Sequence, residues 1–143
     1  LRPAPARRAS DRDAGSELIE PVKPNTIAKS IAIGNPADGY YVLKAVRGSH
    51  NGWGESVTDE EIVDGIKLLA RTEGIFTETA GGVAVSGLKH AAECGAIKAD
   101  DLTGVYITGN GLKTQEAVES LVNPFNIKPF IGAFEEAFNQ RAV

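Results

Sequence analysis

The sequence predicts an α/β fold, a three-layer helix–sheet–helix arrangement in which short parallel strands alternate with helices. Residues 105–108 alternate β-branched and aromatic side chains and run into a Gly-Asn-Gly turn, which is typical of a buried strand that ends at a sheet edge. Thr58 and Glu61 have the spacing of a capping box, which predicts a helix start. With further short strands at 55–57 and 75–77, the predicted order is helix–strand–helix–strand–helix–strand.

Five helices are predicted around these strands, and their ends carry specific signals. The first begins at Asn35-Pro36, because Asn is a good N-cap and Pro fits the first helical position. The third is built from small residues, so another backbone or a ligand is expected to approach it closely. The last is expected to bury three apolar residues, Ile131, Phe134 and Phe138. The predicted helices cover about 36–47, 59–73, 79–94, 115–121 and 130–138.

Composition limits the class of protein. The chain has 143 residues, 42% of them hydrophobic, and a net charge of −4, which fits one domain and argues against nucleic acid as the main partner. No apolar run approaches the roughly 18–20 residues that span a bilayer, so no membrane segment is predicted. Cys94 is the single cysteine, which excludes an internal disulfide and favours a reducing cytoplasm.

The first nineteen residues differ from the rest in composition. Residues 1–19 contain four arginines, two prolines and few large apolar side chains. An Arg-rich start can indicate a transit peptide, but the three acidic residues in this one favour a disordered arm. The prediction is therefore an arm over 1–19 followed by a folded part over 20–143.

Two polar residues are candidates for a ligand site. Thr108 ends the third predicted strand, and ligands in α/β proteins bind beyond the carboxyl ends of such strands. It is either an ordinary strand end or a neutral hydroxyl that meets a heteroaromatic nitrogen or a phosphate. Glu78 precedes a glycine-rich helix start; its local pattern favours charge complementarity to the helix dipole, and the alternative is a carboxylate facing a ligand in the same crevice. Gly81 and Gly82 could bind an anion through free N–H groups.

Other reactive side chains carry weaker signals. His50, His90 and Cys94 lack the spacing of a metal-ligand set, so no metal site is predicted. Cys94 lies four residues after His90 but has no third orienting group, which favours a packed cysteine at a helix end over a nucleophile. Lys113 could neutralise a phosphate, although a solvated surface lysine is the simpler interpretation.

Three segments, occurring in order along the chain, together resemble the C-terminal part of threonine synthase. They are NTIAKSIAIGNPADGYY, ESVTDEEIVDGIKLLARTEGIFTETAGGV and YITGNGLKT. The resemblance extends from about Ile19 to Val118 and more loosely to the terminal helix. Residues 1–19 do not match what precedes this region in the family, so the arm is expected to be disordered or not part of the family's domain. It implies a tryptophan-synthase-β-like fold, pyridoxal phosphate as cofactor, and conversion of O-phosphohomoserine and water to threonine and phosphate.

The resemblance also assigns roles to individual residues. Thr108, in TGNGLKT, matches the hydroxyl that hydrogen-bonds the cofactor's pyridine nitrogen, a neutral partner that moderates the electron sink. Glu78, in TETAGG, matches the glutamate before the helix beside the cofactor ring. Ile31, in KSIAIGNP, would lie along a face of that ring.

The catalytic lysine is the main departure from the family pattern. The lysine that forms the Schiff base, like the glycine-rich phosphate loop, belongs to the family's N-terminal part, and no lysine here lies in a matching motif. No catalytic residue is therefore assigned, this chain alone is expected to be inactive, and its own hold on the cofactor is doubtful. An exposed apolar patch is expected, covered in a homodimer or by the missing N-terminal portion. Alternatives are part of a threonine or serine dehydratase-like lyase, disfavoured by TGNGLKT, and a non-catalytic interaction module.

Overall fold

The described part of the chain is helical. The computed structural model describes residues 19–49, 52, 54–122 and 126–141, so the predicted arm over 1–19 lies outside the described residues except for Ile19. No helix in these ranges is long and apolar enough to cross a bilayer. The helices are α1 (Gly39–Gly48), α2 (Asp59–Glu73), α3 (Thr79–Glu93), α4 (Glu119–Val122) and α5 (Ile131–Arg141), with 3₁₀ turns at Lys29–Ile31, Gly111–Lys113 and Gln115–Ala117.

Helix α2 begins and ends where the sequence predicts. The Thr58 hydroxyl accepts the Glu61 N–H at 3.2 Å, and the Glu61 carboxylate accepts the Thr58 N–H at 2.7 Å. This reciprocal capping box satisfies two donors that the first helical turn leaves unpaired. Gly74 ends the helix in the left-handed region, with φ of 69°. The capping-box prediction is confirmed.

Helix α1 begins later than predicted. The predicted N-cap was Asn35, whereas the helix starts at Gly39. The Gly39 N–H donates to the Pro36 carbonyl at 3.1 Å, so the residues between them form a turn that leads into the helix. Gly39 is buried, and a Cβ there would overlap the Ile19 side chain. The chain therefore makes a turn at 36–39 before the helix begins.

The predicted sheet is absent from the described residues. None of the segments 55–57, 75–77 and 105–108 is a strand in the structure, so the three-layer arrangement with parallel strands is not seen there. The β contact found is a single bridge between Thr77 and Asn110, and it is antiparallel. A strand forms only where a neighbour accepts its backbone hydrogen bonds. Tyr106, with 87% of its surface exposed, shows how open the third segment is.

Helices α2 and α3 pack closely enough for their backbones to touch. A Cβ on Gly65 would overlap the Gly82 carbonyl oxygen and the Ser86 hydroxyl, and a Cβ on Gly82 would overlap the Ile62 carbonyl oxygen. The expectation that another backbone approaches the small-residue helix is therefore confirmed. Buried apolar residues continue the core around this contact, namely Ala28, Ile62, Ile66 and Val118.

Helix α5 does not bury its apolar face. Ile131 is 71% exposed, Phe134 48% and Phe138 60%, so the predicted burial of these three residues is wrong. The rings of Phe134 and Phe138 stack on each other with centroids 5.8 Å apart. The described part of the chain therefore leaves the apolar face of α5 uncovered.

Candidate functional site

The two motifs that contain the predicted site residues meet in one junction. The Glu78 N–H donates to the Gly109 carbonyl at 3.1 Å, and the Gly111 N–H donates to the Phe76 carbonyl at 3.0 Å. The Thr77 hydroxyl adds a hydrogen bond to the same Gly109 carbonyl at 2.9 Å. We call this contact between 76–79 and 109–114 the Glu78–Gly109 junction.

Three glycines make the junction sterically possible. A Cβ on Gly109 would overlap the Glu78 carboxylate, and a Cβ on Gly111 would overlap the Phe76 ring. A Cβ on Gly81 would overlap the Thr77 hydroxyl. These glycines are thus explained by close side-chain approach, because none of them has a positive φ.

The Glu78 side chain is buried over Gly109. It is 8% exposed, and its Oε1 lies 3.9 Å from the Nζ of Lys113. Glu78 is the N-cap residue of α3, yet its side chain makes no capping hydrogen bond. The carboxylate is therefore turned away from the ordinary role of an N-terminal acidic residue and towards the 109–114 segment.

Thr108 and Ile31 are both exposed, and they lie on different segments. Thr108 is exposed and directly precedes Gly109, the residue whose carbonyl accepts the Glu78 N–H. Ile31 ends the 3₁₀ turn Lys29–Ile31, which packs against α3, and 49% of its surface is exposed. The structure thus brings Thr108 and Glu78 onto adjoining segments and leaves Ile31 open on a turn beside α3.

The junction combines two polar groups of different kinds. The exposed Thr108 hydroxyl can donate or accept a hydrogen bond, and the buried Glu78 carboxylate accepts hydrogen bonds when it is ionised. The Thr79 hydroxyl is fully buried without a hydrogen-bond partner, an unusual state for a polar group. Its backbone N–H donates to the Thr114 hydroxyl at 3.1 Å, which ties the start of α3 to the same segment.

The other candidates do not extend this site. Gly81 and Gly82 are buried, the second against α2, so their position reflects packing and gives no support to an anion site. Cys94 is at the end of α3 as expected, but it is exposed and not packed. His50 lies outside the described residues, and among the residues that are described no three acidic, histidine or cysteine side chains group as metal ligands.

A polar cluster around His90 was missed by the sequence analysis. Its Nε2 lies 2.9 Å from Glu61 Oε1, and its Nδ1 lies 3.8 Å from Glu55 Oε1. The Ser86 hydroxyl donates to the Glu61 carbonyl at 2.6 Å, so Glu61 fastens the start of α2 to α3. The capping box marked Glu61 as structural, but the sequence holds no signal for the register of the two helices.

A groove of about 550 Å³ lies along these two helices, away from the junction. Glu61, Ser86 and His90 line it, and none of Thr108, Glu78 and Ile31 does. Lys67 pairs with Asp64 and Lys89 pairs with Glu93 on its surface, and the remaining cation, Arg71, is offset by the carboxylate of Glu61. The groove therefore offers no concentrated charge to a ligand.

The pKa of Glu61 predicts acid sensitivity of the α2–α3 pair. The hydrogen bond from the Thr58 backbone N–H lowers this pKa below its ordinary value of 4.5, burial opposes the shift, and His90 adds to the lowering. The resulting stability is fully present above pH 4.5 and is lost as the pH falls through the lowered pKa. Glu61→Gln, which keeps an acceptor for the cap, should flatten the fall of unfolding free energy below pH 4.5, measured by urea titration.

Glu60→Gln is the matched control, because it removes a carboxylate from the same helical turn without touching the capping box or His90. If the free energy of unfolding falls as steeply with decreasing pH in Glu61→Gln as in Glu60→Gln, this role of Glu61 is contradicted.

Comparison with known proteins identifies the family of this chain. The family model for pyridoxal-phosphate dependent enzymes matches residues 3–109, and the chain belongs to this family. The family has a tryptophan-synthase-β-like fold. The match includes residues 3–18, which lie outside the described residues.

Individual relatives make the similarity more specific. Threonine synthase of Methanocaldococcus jannaschii is 44% identical over 106 residues, which cover 74% of this chain and 26% of the relative. Threonine synthase of Methanosarcina acetivorans is 38% identical over 131 residues, covering 90% of this chain and 32% of the relative. That of Halalkalibacterium halodurans is 41% identical over 108 residues, covering 76% and 30%. The chain spans about a quarter to a third of the length of these relatives.

Proposed function

We propose that this chain is the C-terminal portion of a threonine synthase, over residues 20–143, which with the rest of the enzyme converts O-phosphohomoserine and water to threonine and phosphate. The observation that carries the proposal is the Glu78–Gly109 junction, in which the TETAGG and TGNGLKT motifs meet. Similarity to three threonine synthases over most of this chain supports the particular activity.

In this proposal the chain provides the ring-nitrogen side of the cofactor site. Pyridoxal phosphate, when bound, supplies an electron sink next to the reacting carbon atoms. The Thr108 hydroxyl donates a hydrogen bond to the ring nitrogen and leaves that nitrogen without a full proton. Glu78 provides a negative charge on the segment adjoining Thr108. Ile31 covers one face of the ring and excludes water from it. Phosphate recognition and the covalent lysine come from the part of the enzyme that this chain does not span.

The proposal includes the sheet and its partner. Residues 105–108 form no strand in the described part of the chain, and all of them except the half-buried Ile107 are exposed, so their backbone is open to pairing with a neighbouring edge. Joined to the rest of the family's fold, or to a second copy in a homodimer, they become a parallel strand in a three-layer domain. The exposed apolar face of α5 is covered in the same assembly. The assembly works in the cytoplasm and does not require nucleic acid.

A chimera tests the activity. Residues 20–143 of this chain replace their counterpart in the Methanocaldococcus jannaschii relative, to which the chain is 44% identical over 106 residues, and phosphate release from O-phosphohomoserine is followed. The chimera is expected to release phosphate and form threonine in equal amounts, whereas the 143-residue chain alone releases none. Thr108→Val in the chimera should lower kcat/KM by about 10–100-fold, the effect of losing one hydrogen bond to a charged or strongly polar group.

Two outcomes would contradict the proposal. A folded chimera that forms 2-oxobutanoate from threonine but no threonine from O-phosphohomoserine would favour the dehydratase-like alternative. A folded chimera with neither activity would leave the interaction module as the function. Thr103→Val, at an exposed site five residues upstream, is the matched control and should leave kcat/KM unchanged.

A further inference from the structure

Lys113 occupies a fixed place beside the buried Glu78 carboxylate. It ends the 3₁₀ turn Gly111–Lys113, which the Asn110 side chain caps by accepting the Leu112 N–H at 2.9 Å. The Gly111 and Thr114 hydrogen bonds to 76–79 hold this turn on both sides of Lys113. The backbone of Lys113 is therefore fixed by contacts that do not involve its own side chain.

Glu78 and Lys113 carry opposite charges, and one side chain is buried while the other is exposed. The Glu78 side chain is 8% exposed, while that of Lys113 is 66% exposed. A carboxylate with so little contact with water needs a counter-charge or hydrogen bonds, and within the described part of the chain Lys113 is the cation paired with it, at 3.9 Å. The exposed end of the lysine reaches back over the junction to supply that charge.

We propose that Lys113 is a positioning residue, the counter-ion that holds the Glu78 carboxylate over Gly109. In this position the carboxylate does not exchange a proton directly with the ligand that Thr108 binds. This inference rests on the proposed function for the identity of that ligand, a pyridine ring. When Lys113 is present, the Glu78 carboxylate forms an ion pair with its ammonium group. Without it, the carboxylate is free to stabilise a proton, taken from solvent, on the ring nitrogen.

The first test uses the 143-residue chain without any ligand. Nuclear Overhauser contacts between the Glu78 side chain and the Gly109 α-protons should be strong in the unmodified protein. They should weaken in Lys113→Gln, persist in Lys113→Arg, and persist in Lys98→Gln, the matched control at an exposed lysine. Equal contacts in Lys113→Gln and Lys98→Gln would overturn the proposal, whatever the chimera does.

The second test uses the active chimera loaded with pyridoxal phosphate. Lys113→Gln should shift the absorbance of the bound cofactor towards the form protonated on the ring nitrogen and lower kcat about two- to fivefold, the range that a partly exposed ion pair supports. Lys113→Arg should restore both. Unchanged spectra in Lys113→Gln would overturn the role of Lys113 but not the proposed function. An inactive unmodified chimera would overturn the proposed function, and the nuclear Overhauser contacts in the 143-residue chain would then test the position of Glu78 independently.

Discussion

Replacing Gly82 by alanine is expected to lower the free energy of unfolding by about 1–3 kcal/mol, the usual cost of overpacking a tight contact. The new methyl group would overlap the Ile62 carbonyl oxygen and the Ile66 side chain, and a backbone carbonyl cannot rotate away as a side chain does. The helices would have to separate, which opens the core around Ile62. Urea unfolding followed by far-UV circular dichroism measures the change.

The same helix provides an internal control. Gly87 also lies within α3, but a Cβ there would meet nothing within 4 Å. Gly87→Ala should therefore raise the free energy of unfolding by about 0.5–1 kcal/mol, since alanine favours the helix over glycine. If both substitutions stabilise the protein, α2 and α3 do not pack through Gly82, and the account of the core is wrong.

Gly109→Ala is expected to disable the site with little effect on the helices. A Cβ at position 109 would occupy the space of the Glu78 carboxylate, and that side chain would be driven out of its place beside Lys113. In the chimera, kcat/KM should fall by about 10–100-fold, because a buried charge is moved and its hydrogen-bonded surroundings are disturbed. The chain should keep its helical circular dichroism.

Gly104→Ala is the matched control for this substitution. It lies five residues earlier in the same segment, and a Cβ there would meet nothing within 4 Å. Its kcat/KM should equal that of the unmodified chimera. Equal activities of the Gly104 and Gly109 variants would show that the position of Glu78 does not matter for the reaction.

The sequence predicted the ends of a helix correctly where residues at those ends determine them through local hydrogen bonds or backbone conformation. Thr58 and Glu61 cap α2 through bonds within four residues, and Gly74 ends it through its own φ. The predicted start of α1 was wrong because Pro36 to Gly39 form a hydrogen-bonded turn that the Asn-Pro signal does not distinguish from a first helical turn, and Gly39 also packs against the distant Ile19. Sequence pattern resolves the first kind of interaction and not the second.

The contact between the segments of Glu78 and Thr108 was predicted, but its geometry was not. The sequence suggested that Glu78 and Thr108 come to one edge, and the structure places their segments together, but through antiparallel hydrogen bonds and not parallel strands. The pairing of Gly65 with Gly82, and of His90 with Glu61, depends on how two helices slide along each other. No single-helix periodicity encodes that register.

The apolar faces show the opposite limit. The apolar stripe on α5 predicts burial, yet Phe134 and Phe138 contact each other at the surface of the described chain. A periodic pattern shows which face is apolar and does not show what packs against that face. Residues 105–108 likewise have the alternation of a strand, but no strand pairs with them in the described part of the chain.

The central claim is that residues 76–79 and 109–114 are hydrogen-bonded into one junction, and one solution measurement tests it directly. A coupling across the hydrogen bond between the Glu78 amide and the Gly109 carbonyl should be detectable by NMR, because the two atoms lie 3.1 Å apart. The bond from the Gly82 N–H to the Glu78 carbonyl, also 3.1 Å, serves as a reference at the start of α3. Detection of both couplings would support the junction; the helical coupling without the one to Gly109 would contradict it.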